Sequence, residues 1–397
     1  MYMKNSTAIR FRRRFFKYAV RPIMRACIGL FPVSDNKVVF DNFGGKGYGG
    51  NPKYITEALL QSDNPKLDLV WLASPLLSEE ERRSFPDSVR VVNNQSFRGM
   101  FELGTAKVRV ENIRNYHPLA KRKGQIYLQT WHGSLGVKKV EKDAEELLEK
   151  EYVAQARYDG AITDAIITDN HLQEQIYERA FWLNPEAEIL RFGFPQNDQT
   201  VNKMSPARAE QVKQEFGMDE QYYYVLYAPT FRDDYSTAGY QIDFERVIKA
   251  FETRTKKKTR VIVRLHPNVA FQKEKIRFSD SLLDGTDYPD IQDLVLSCDA
   301  VISDYSSVLF DFAMLSKPAF ICALDYEAYK ETRGFIPEFY ELPFPQARST
   351  DGLIHDILNF DMDDYETKVE AFYEKYPSYG DGDASEKTAR WILKHLH

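Results

Sequence analysis

Between Pro32 and Gln196, short apolar runs alternate with stretches whose apolar residues recur every three or four positions. The runs predict strands at Lys37–Phe40, Leu67–Leu72, Val89–Val92, Lys107–Glu111, Gln125–Gln129, Ala165–Thr168 and Glu188–Arg191. The periodic stretches predict helices at Tyr54–Ser62, Ser96–Gly104, Asp143–Arg157 and His171–Phe181. The polar segment Gln196–Pro206 interrupts the pattern, and a second series follows. Its strands are expected at Tyr222–Ala228, Arg260–Leu265, Ala300–Ser303 and Pro318–Cys322, with helices at Pro206–Phe216, Phe244–Thr255, Ile291–Ser297 and Ser306–Leu315. Helical periods at Tyr365–Tyr376 and Ala384–His397 close the chain. Strand–helix alternation of this kind builds doubly wound parallel sheets. The expected organisation is therefore α/β, with two Rossmann-like domains facing a cleft. They are residues 32–200 and 201–397, and the last helix is a candidate to cross back onto the first domain.

Residues 1–31 follow a different pattern. Apolar positions recur as Phe15/Phe16, Ala19/Val20, Ile23/Met24, Cys27/Ile28 and Phe31, while Arg10, Arg14, Lys17, Arg21 and Arg25 recur on another helical face. With Arg12 and Arg13, this predicts a basic amphipathic helix, interrupted at Pro22, that lies on an anionic membrane. A helix packed on the body and a nucleic-acid arm are the other readings. No run of 18 apolar residues predicts a transmembrane helix, and Arg21 and Arg25 break what would be a signal-peptide core.

Charge sharpens that contrast. The chain has 397 residues, 53 basic and 59 acidic, for a net charge of −6. Residues 1–25 hold eight of the basic residues and no acid, so the remainder stands at −14 and disfavours a nucleic-acid partner. The apolar fraction of 43% excludes a disordered chain, and three scattered cysteines supply neither a disulfide framework nor a zinc site. A reducing compartment is the default for such a chain.

Ligands of open α/β sheets sit beyond the carboxyl ends of strands, so chemistry is sought in the loops there. Four loops qualify. His132, in Thr130-Trp131-His132-Gly133-Ser134, is suited to take a proton from an alcohol, and Gly133 lets a ligand approach the backbone. Arg264 and His266 meet at another strand end, where they suit phosphate. Ser306 and Ser307 open a helix whose N-terminus would attract an anion, and Asp311 follows one turn later, suited to a ribose hydroxyl. Thr230, after Pro229, would donate to a phosphate or contact a base. Ordinary capping and turn roles would account for each loop taken alone. Asp233-Asp234 has no partner at ligand spacing, so no metal and no cofactor is expected. Phe43–Gly50 is glycine-rich but fits neither the P-loop nor the dinucleotide fingerprint, and reads as a loop that would touch an acceptor.

The blocks TWHGSLGVKKV, GFPQND, YAPTFRDD, RLHPN, YPDIQDLVLSCDAVISDYSSVLFDFAMLSKP and RGF occur in this order. Together they resemble the CDP-glycerol glycerophosphotransferase family of teichoic-acid synthesis, from about Lys37 to the DGDASE segment near the C-terminus. The resemblance implies a glycosyltransferase-B-like fold with the donor in the cleft. It implies that His132, Gly133, Ser134, Leu135 and Gly136 line the reacting end of the donor. It implies that Pro229, Thr230, Arg264, Leu265, His266, Ser306, Ser307 and Asp311 hold nucleotide and pyrophosphate. One position departs: Gln196 stands where the family usually has an Arg that would contact donor phosphate. Lys138, Lys139 and Arg191 are candidates to replace that charge.

The expected reaction is transfer of glycerol-phosphate or ribitol-phosphate from a CDP-activated donor to a hydroxyl of a lipid-linked cell-wall polymer, releasing CMP. His132 would act as base, with His266 and Arg264 neutralising charge. The expected setting is the cytoplasmic face of the membrane, as a peripheral protein. A nucleotide-sugar transferase on the same fold and a catalytically silent membrane-bound homologue are the alternatives.

Overall fold

The computed structural model describes residues 21–62, 64, 66–114, 119–133, 137–202, 206–232, 241–288 and 290–396. Two parallel sheets organise them. The first contains β1 (Ser34–Asp41), β2 (Asp68–Ala73), β3 (Arg90–Asn93), β4 (Ala106–Glu111), β5 (Ile126–Gln129), β6 (Ala165–Thr168) and β7 (Glu188–Arg191), in the order β3-β2-β1-β4-β5-β6-β7. The second contains β8 (Tyr222–Tyr227), β9 (Lys258–Val263), β10 (Leu282–Asp284), β11 (Ala300–Ser303), β12 (Ala319–Cys322) and β13 (Gln346–Ala347), in the order β10-β9-β8-β11-β12-β13. Each order reverses once, between β1 and β4 and between β8 and β11. Those reversals open the crevices in which doubly wound sheets hold ligands.

Apolar side chains on both faces make these strands central. Val38, Val39 and Phe40 of β1 and Val301 and Ile302 of β11 are almost wholly buried, which is the signature of a sheet covered on both sides. Phe40 stacks on Trp71 at 5.6 Å, and each such fully buried large side chain stabilises the fold by about 1.5–3 kcal/mol. Three of the covering helices start on side-chain caps: Ser96 accepts from Gly99 N, Asn170 from Gln173 N and Asp243 from Arg246 N.

Three expectations needed correction. The helix expected over Asp143–Arg157 is a 3₁₀ segment, Glu141–Leu147, followed by a separate helix, Lys150–Ile162. Glu141 turns inward with φ 54°, pairs with Arg114 at 3.1 Å and accepts from Tyr152 at 2.6 Å. That buried ion pair bends the chain where local periodicity would have run on. The helix expected from Ser306 begins at Val308 and spans six residues. The strand expected to reach Leu265 ends at Val263, which leaves Arg264 in the loop.

Of the basic N-terminal segment, Arg10, Arg12, Arg13, Arg14 and Lys17 lie outside the described residues. A helix spans Arg21–Gly29, and its Met24 and Ile28 are buried. Ile28 fits against Gly104, where any Cβ would stand 2.5 Å from its Cγ2. Arg122 donates to the carbonyls of Ile28, Gly29 and Phe31. Over residues 21–31 the packed-helix geometry therefore holds. Its outer side still presents Arg25 beside exposed Ile23 and Leu30.

Three ties join the two halves. Asp290 receives Lys53 and Tyr54, each at 2.7 Å, from the first half, and Arg208 at 2.9 Å. Burial raises the Asp290 pKa, but Lys53 and Arg208 overcome it and hold the carboxyl below its ordinary range. Lys139 N donates to Gly334 O at 3.1 Å, and Lys138 pairs with Phe335, so the RGF block lies along the segment after the histidine loop. The helix Ala384–His395 returns to the first sheet and buries Ala389 and Ile392 in its core. Asp198 caps that helix by accepting from Ala384 N and Ser385 N.

Candidate functional site

The loop after β5 is held by side-chain amides. Asn51 Nδ2 donates to the carbonyls of Thr130, at 3.2 Å, and Trp131, at 3.1 Å. Gln129 Oε1 accepts from Trp131 N at 2.9 Å, and Gln173 Nε2 donates to Gly133 O at 2.7 Å. These bonds fix Trp131 at φ 53°, a left-handed conformation that costs a non-glycine residue about 1–3 kcal/mol. The indole packs edge-on against Phe181 at 4.8 Å, with the Arg114 guanidinium 5.6 Å from its centre.

His132 follows directly. Its Nδ1 lies 2.7 Å from the Asn112 carbonyl, which only accepts, so Nδ1 carries the proton and Nε2 keeps a lone pair. Burial pushes the His132 pKa down to about 4; the Asn112 carbonyl opposes that shift, while Lys138 and Arg114 add to it. The ring is therefore a neutral acceptor at pH 7. Asn112 also ties the glycine-rich loop to this centre. Its Oδ1 accepts from Phe43 N at 2.8 Å, and its Nδ2 donates to Asn42 Oδ1 at 2.7 Å. The Phe43 ring packs 5.2 Å from that of His132.

The second sheet contributes from its own reversal point. Asp304 Oδ1 accepts from Thr230 N at 2.8 Å, which joins the loops after β8 and β11. Pro229 and Thr230 are buried there. His266 packs against Phe231 at 4.6 Å. Its pKa is pushed down to about 3 by burial first, then by Lys138, His132, Lys46 and Arg264. The charges of His132, Lys46 and Lys138 are thus felt at His266, which couples the histidine loop, the glycine-rich loop and the second sheet electrostatically. The two sides also meet directly: a Cβ on Gly133 would stand 2.9 Å from the Ser307 hydroxyl.

Other expected residues sit differently. Arg264 Nη1 donates to the carbonyls of Gly285, at 3.2 Å, and Tyr288, and burial lowers its pKa. At least that arm of the guanidinium braces the chain after β10 rather than facing phosphate. The Leu265 side chain is in the core at 1% exposure, and its N–H donates to Thr286 Oγ1 at 3.4 Å. Ser307 precedes the six-residue helix without a side-chain cap, while Ser306 Oγ accepts from Val308 N at 3.4 Å. Asp311 is buried, receives Gln292 Nε2 at 3.4 Å, and has its pKa pushed up to about 8 by burial and by Asp169. Gln196 N donates to Asn51 Oδ1 at 3.1 Å.

Of the three cations weighed as replacements for the Arg at position 196, Arg191 is paired with Glu174 at 2.5 Å. Lys139 lies along Gly334, its Cδ 3.1 Å from where a Cβ there would sit. Lys138 is the one whose charge reaches both histidines. Ser134, Leu135, Gly136, Asp233 and Asp234 lie outside the described residues. Sequence reasoning missed Asn51, Asn112, Gln129, Gln173 and Lys46. For Asn51 and Lys46 a signal existed, since they lie within or directly after the glycine run.

Two parallel α/β sheets whose reversal points share one site define a glycosyltransferase-B-like fold. The chain belongs to the CDP-glycerol:poly(glycerophosphate) glycerophosphotransferase family, whose model matches residues 23–394. It is 27% identical to the teichoic acid poly(glycerol phosphate) polymerase of Staphylococcus epidermidis, over 100% of this chain and 58% of that protein. It is 29% identical to the teichoic acid glycerol-phosphate transferase of Staphylococcus aureus, over 90% of this chain and 93% of that one. The chain thus spans less than two thirds of the polymerase and nearly all of the transferase. Its fold matches the structure of the wall teichoic acid polymerase TagF with a TM-score of 0.80 and 26% identity, covering 98% of this chain and 97% of that one. That polymerase has also been solved after a soak with CDPG.

Proposed function

We propose that the protein transfers glycerol-phosphate, or ribitol-phosphate, from a CDP-activated donor to a hydroxyl of a lipid-linked cell-wall polymer, releasing CMP. The observation that carries this reading is His132: a neutral imidazole with Nδ1 bound to a carbonyl and Nε2 left with its lone pair as an acceptor, in a site to which His266 also contributes. The Nε2 atom accepts the acceptor's hydroxyl proton while the acceptor oxygen attacks the β-phosphorus. The bond from that phosphorus to the bridging oxygen breaks, and CMP leaves with the electron pair. His266, Lys138 and the Ser306–Ser307 loop, with whatever Arg264 spares from its carbonyls, offset the charge on the pyrophosphate oxygens. Positioning and electrostatics of this kind supply most of phosphoryl-transfer catalysis. Residues 32–200 form the acceptor side and 201–397 the donor side. The membership in the family and the CDPG soak of the related polymerase support the donor class.

The test is a donor screen with the purified full chain and a lipid-linked acceptor. CMP release is expected with CDP-glycerol or CDP-ribitol. Release of a nucleoside diphosphate from a nucleotide-sugar, or no release with any donor, would overturn the reading.

We place the protein peripherally on the cytoplasmic face of an anionic membrane, where a lipid-linked acceptor is presented. Among the described residues no helix is long and apolar enough to cross a membrane. Residues 1–20 carry Lys4, Arg10, Arg12, Arg13, Arg14 and Lys17, each contributing about 1 kcal/mol near an anionic surface. Deleting residues 1–20 spares Met24 and Ile28, so the fold should survive. Sedimentation with anionic vesicles should drop, and the residual binding, left with Arg21 and Arg25, should depend less steeply on salt. Undiminished sedimentation of the truncated chain would refute the anchor.

A further inference from the structure

Asn51 is not among the candidate chemical groups, yet its side chain ties its own helix to two separate segments, Thr130–Trp131 and Gln196. It is wholly buried, in the first turn of the helix Gly50–Leu60. Its Nδ2 holds the carbonyls of Thr130 and Trp131, and its Oδ1 holds the N–H of Gln196. All three of its hydrogen bonds go to main chain, and none serves its own helix. The residue before it, Gly50, has φ 60°, and a Cβ there would stand 2.9 Å from Asn42 Oδ1 and 3.0 Å from Asn112 Nδ2. Asn51 therefore enters the site where the backbone passes closest to the amides that support His132. Trp131, whose carbonyl it holds, is the left-handed residue next to His132. A carbonyl released at that point would let the peptide between Trp131 and His132 rotate, and the Nδ1 contact to Asn112 would no longer be aligned.

We propose that Asn51 is a positioning residue for the transfer reaction: it locks the Thr130–Trp131 main chain to that of Gln196, so that His132 is aimed at the acceptor oxygen in register with the donor loop. This rests on the function proposed above. Asn51 touches no reacting atom; it acts through His132 and Gln196. Misplacement of a reacting group by about 1 Å costs on the order of 10²-fold in rate.

Asn51→Asp separates the two tasks. An acid oxygen still accepts from Gln196 N, but the oxygen that replaces Nδ2 repels the two carbonyls. In the full-length protein with CDP-glycerol, kcat is expected to fall by about 10–10²-fold while donor KM stays within about threefold. Nitrogen NMR of His132 supplies a readout independent of the reaction. The intact protein should show a single Nδ1-protonated tautomer at pH 7, and the variant a mixture. Asn51→Ala, which buries no charge, should show the same tautomer mixture and loss of kcat, and should also raise donor KM because the tie to Gln196 is lost. Both variants keeping the native His132 signals, or losing kcat only in proportion to folded protein, would overturn the proposal. So would failure of both to fold, since Asn51 would then be a folding residue. If the intact protein transfers no CDP-polyol, the functional reading fails, while the tautomer comparison still decides whether Asn51 positions His132.

Discussion

His132→Ala is expected to lower turnover by about 10²–10⁴-fold while donor affinity stays within a few-fold. The ring is the group on the acceptor side with a lone pair oriented by its own hydrogen bond, since Nδ1 is committed to Asn112 O at 2.7 Å. Its side chain packs against Phe43 and Trp131 at 5.2 and 4.4 Å, both in the first half, so removing it leaves the loops of the second sheet in place. The same assignment fixes the pH dependence. With a folded pKa of about 4, His132 stays unprotonated through the neutral range. In the free enzyme, kcat/KM should therefore remain flat on the acid side well below the ordinary histidine pKa of about 6.5, and fall only near pH 4–5. Stability carries the same sign. The unfolded chain binds the proton first, so this group's contribution is whole above about pH 6.5 and is lost as pH falls toward 4. A purified alanine variant retaining more than about a third of turnover, or an acid limb centred near pH 6.5, would remove His132 from the base role.

The strands were legible because buried parallel strands are written as continuous apolar runs, as in Val38-Val39-Phe40. β10 and β13 were not, because three and two residues carry no period. The histidines were legible because chemistry concentrates beyond strand ends, and both lie there. The amides that hold them were not. The glycine run drew attention to the neighbourhood of Asn51 but not to its partner: Asn51 reaches Gln196 across 145 positions, and Gln173 reaches Gly133 across 40, through bonds to main chain that no spacing reveals. Asp311 shows the limit of spacing as a guide. Its i+4 distance from Ser307 suggested a shared face turned to the ligand, but the helix starts later and Asp311 lies inside against Gln292. A carboxyl with a pKa near 8 is mostly protonated at pH 7, so in this state it braces the helix as a neutral group. Arg264 looked like a phosphate fork until the fold gave part of it two carbonyls to hold.

Gly133→Val is expected to lower kcat/KM by about 10²-fold although the position carries no functional group. Gly133 is where the two sheets' loops touch. A Cβ would sit 2.9 Å from Ser307 Oγ and 3.6 Å from Ser307 Cβ, and Gln173 holds the Gly133 carbonyl from the other side at 2.7 Å. The loop therefore has little room to retreat. A single methyl meets the end of a rotatable hydroxymethyl group, so Gly133→Ala should cost only a few-fold once Ser307 turns away. Valine adds two further carbons and wedges the histidine loop away from the serine loop. In the reaction proposed above, His132 would then no longer face the donor phosphorus. The cause can be isolated with a second substitution. Ser307→Gly should reduce activity in the native background, since it removes a hydroxyl proposed above to face the donor, yet restore part of it in the Gly133→Val background. That reversal of sign is the coupling a double-mutant cycle measures between groups in contact. Additive losses would mean that the two loops do not meet in the working enzyme, and the shared site would have to be assembled by a different closure.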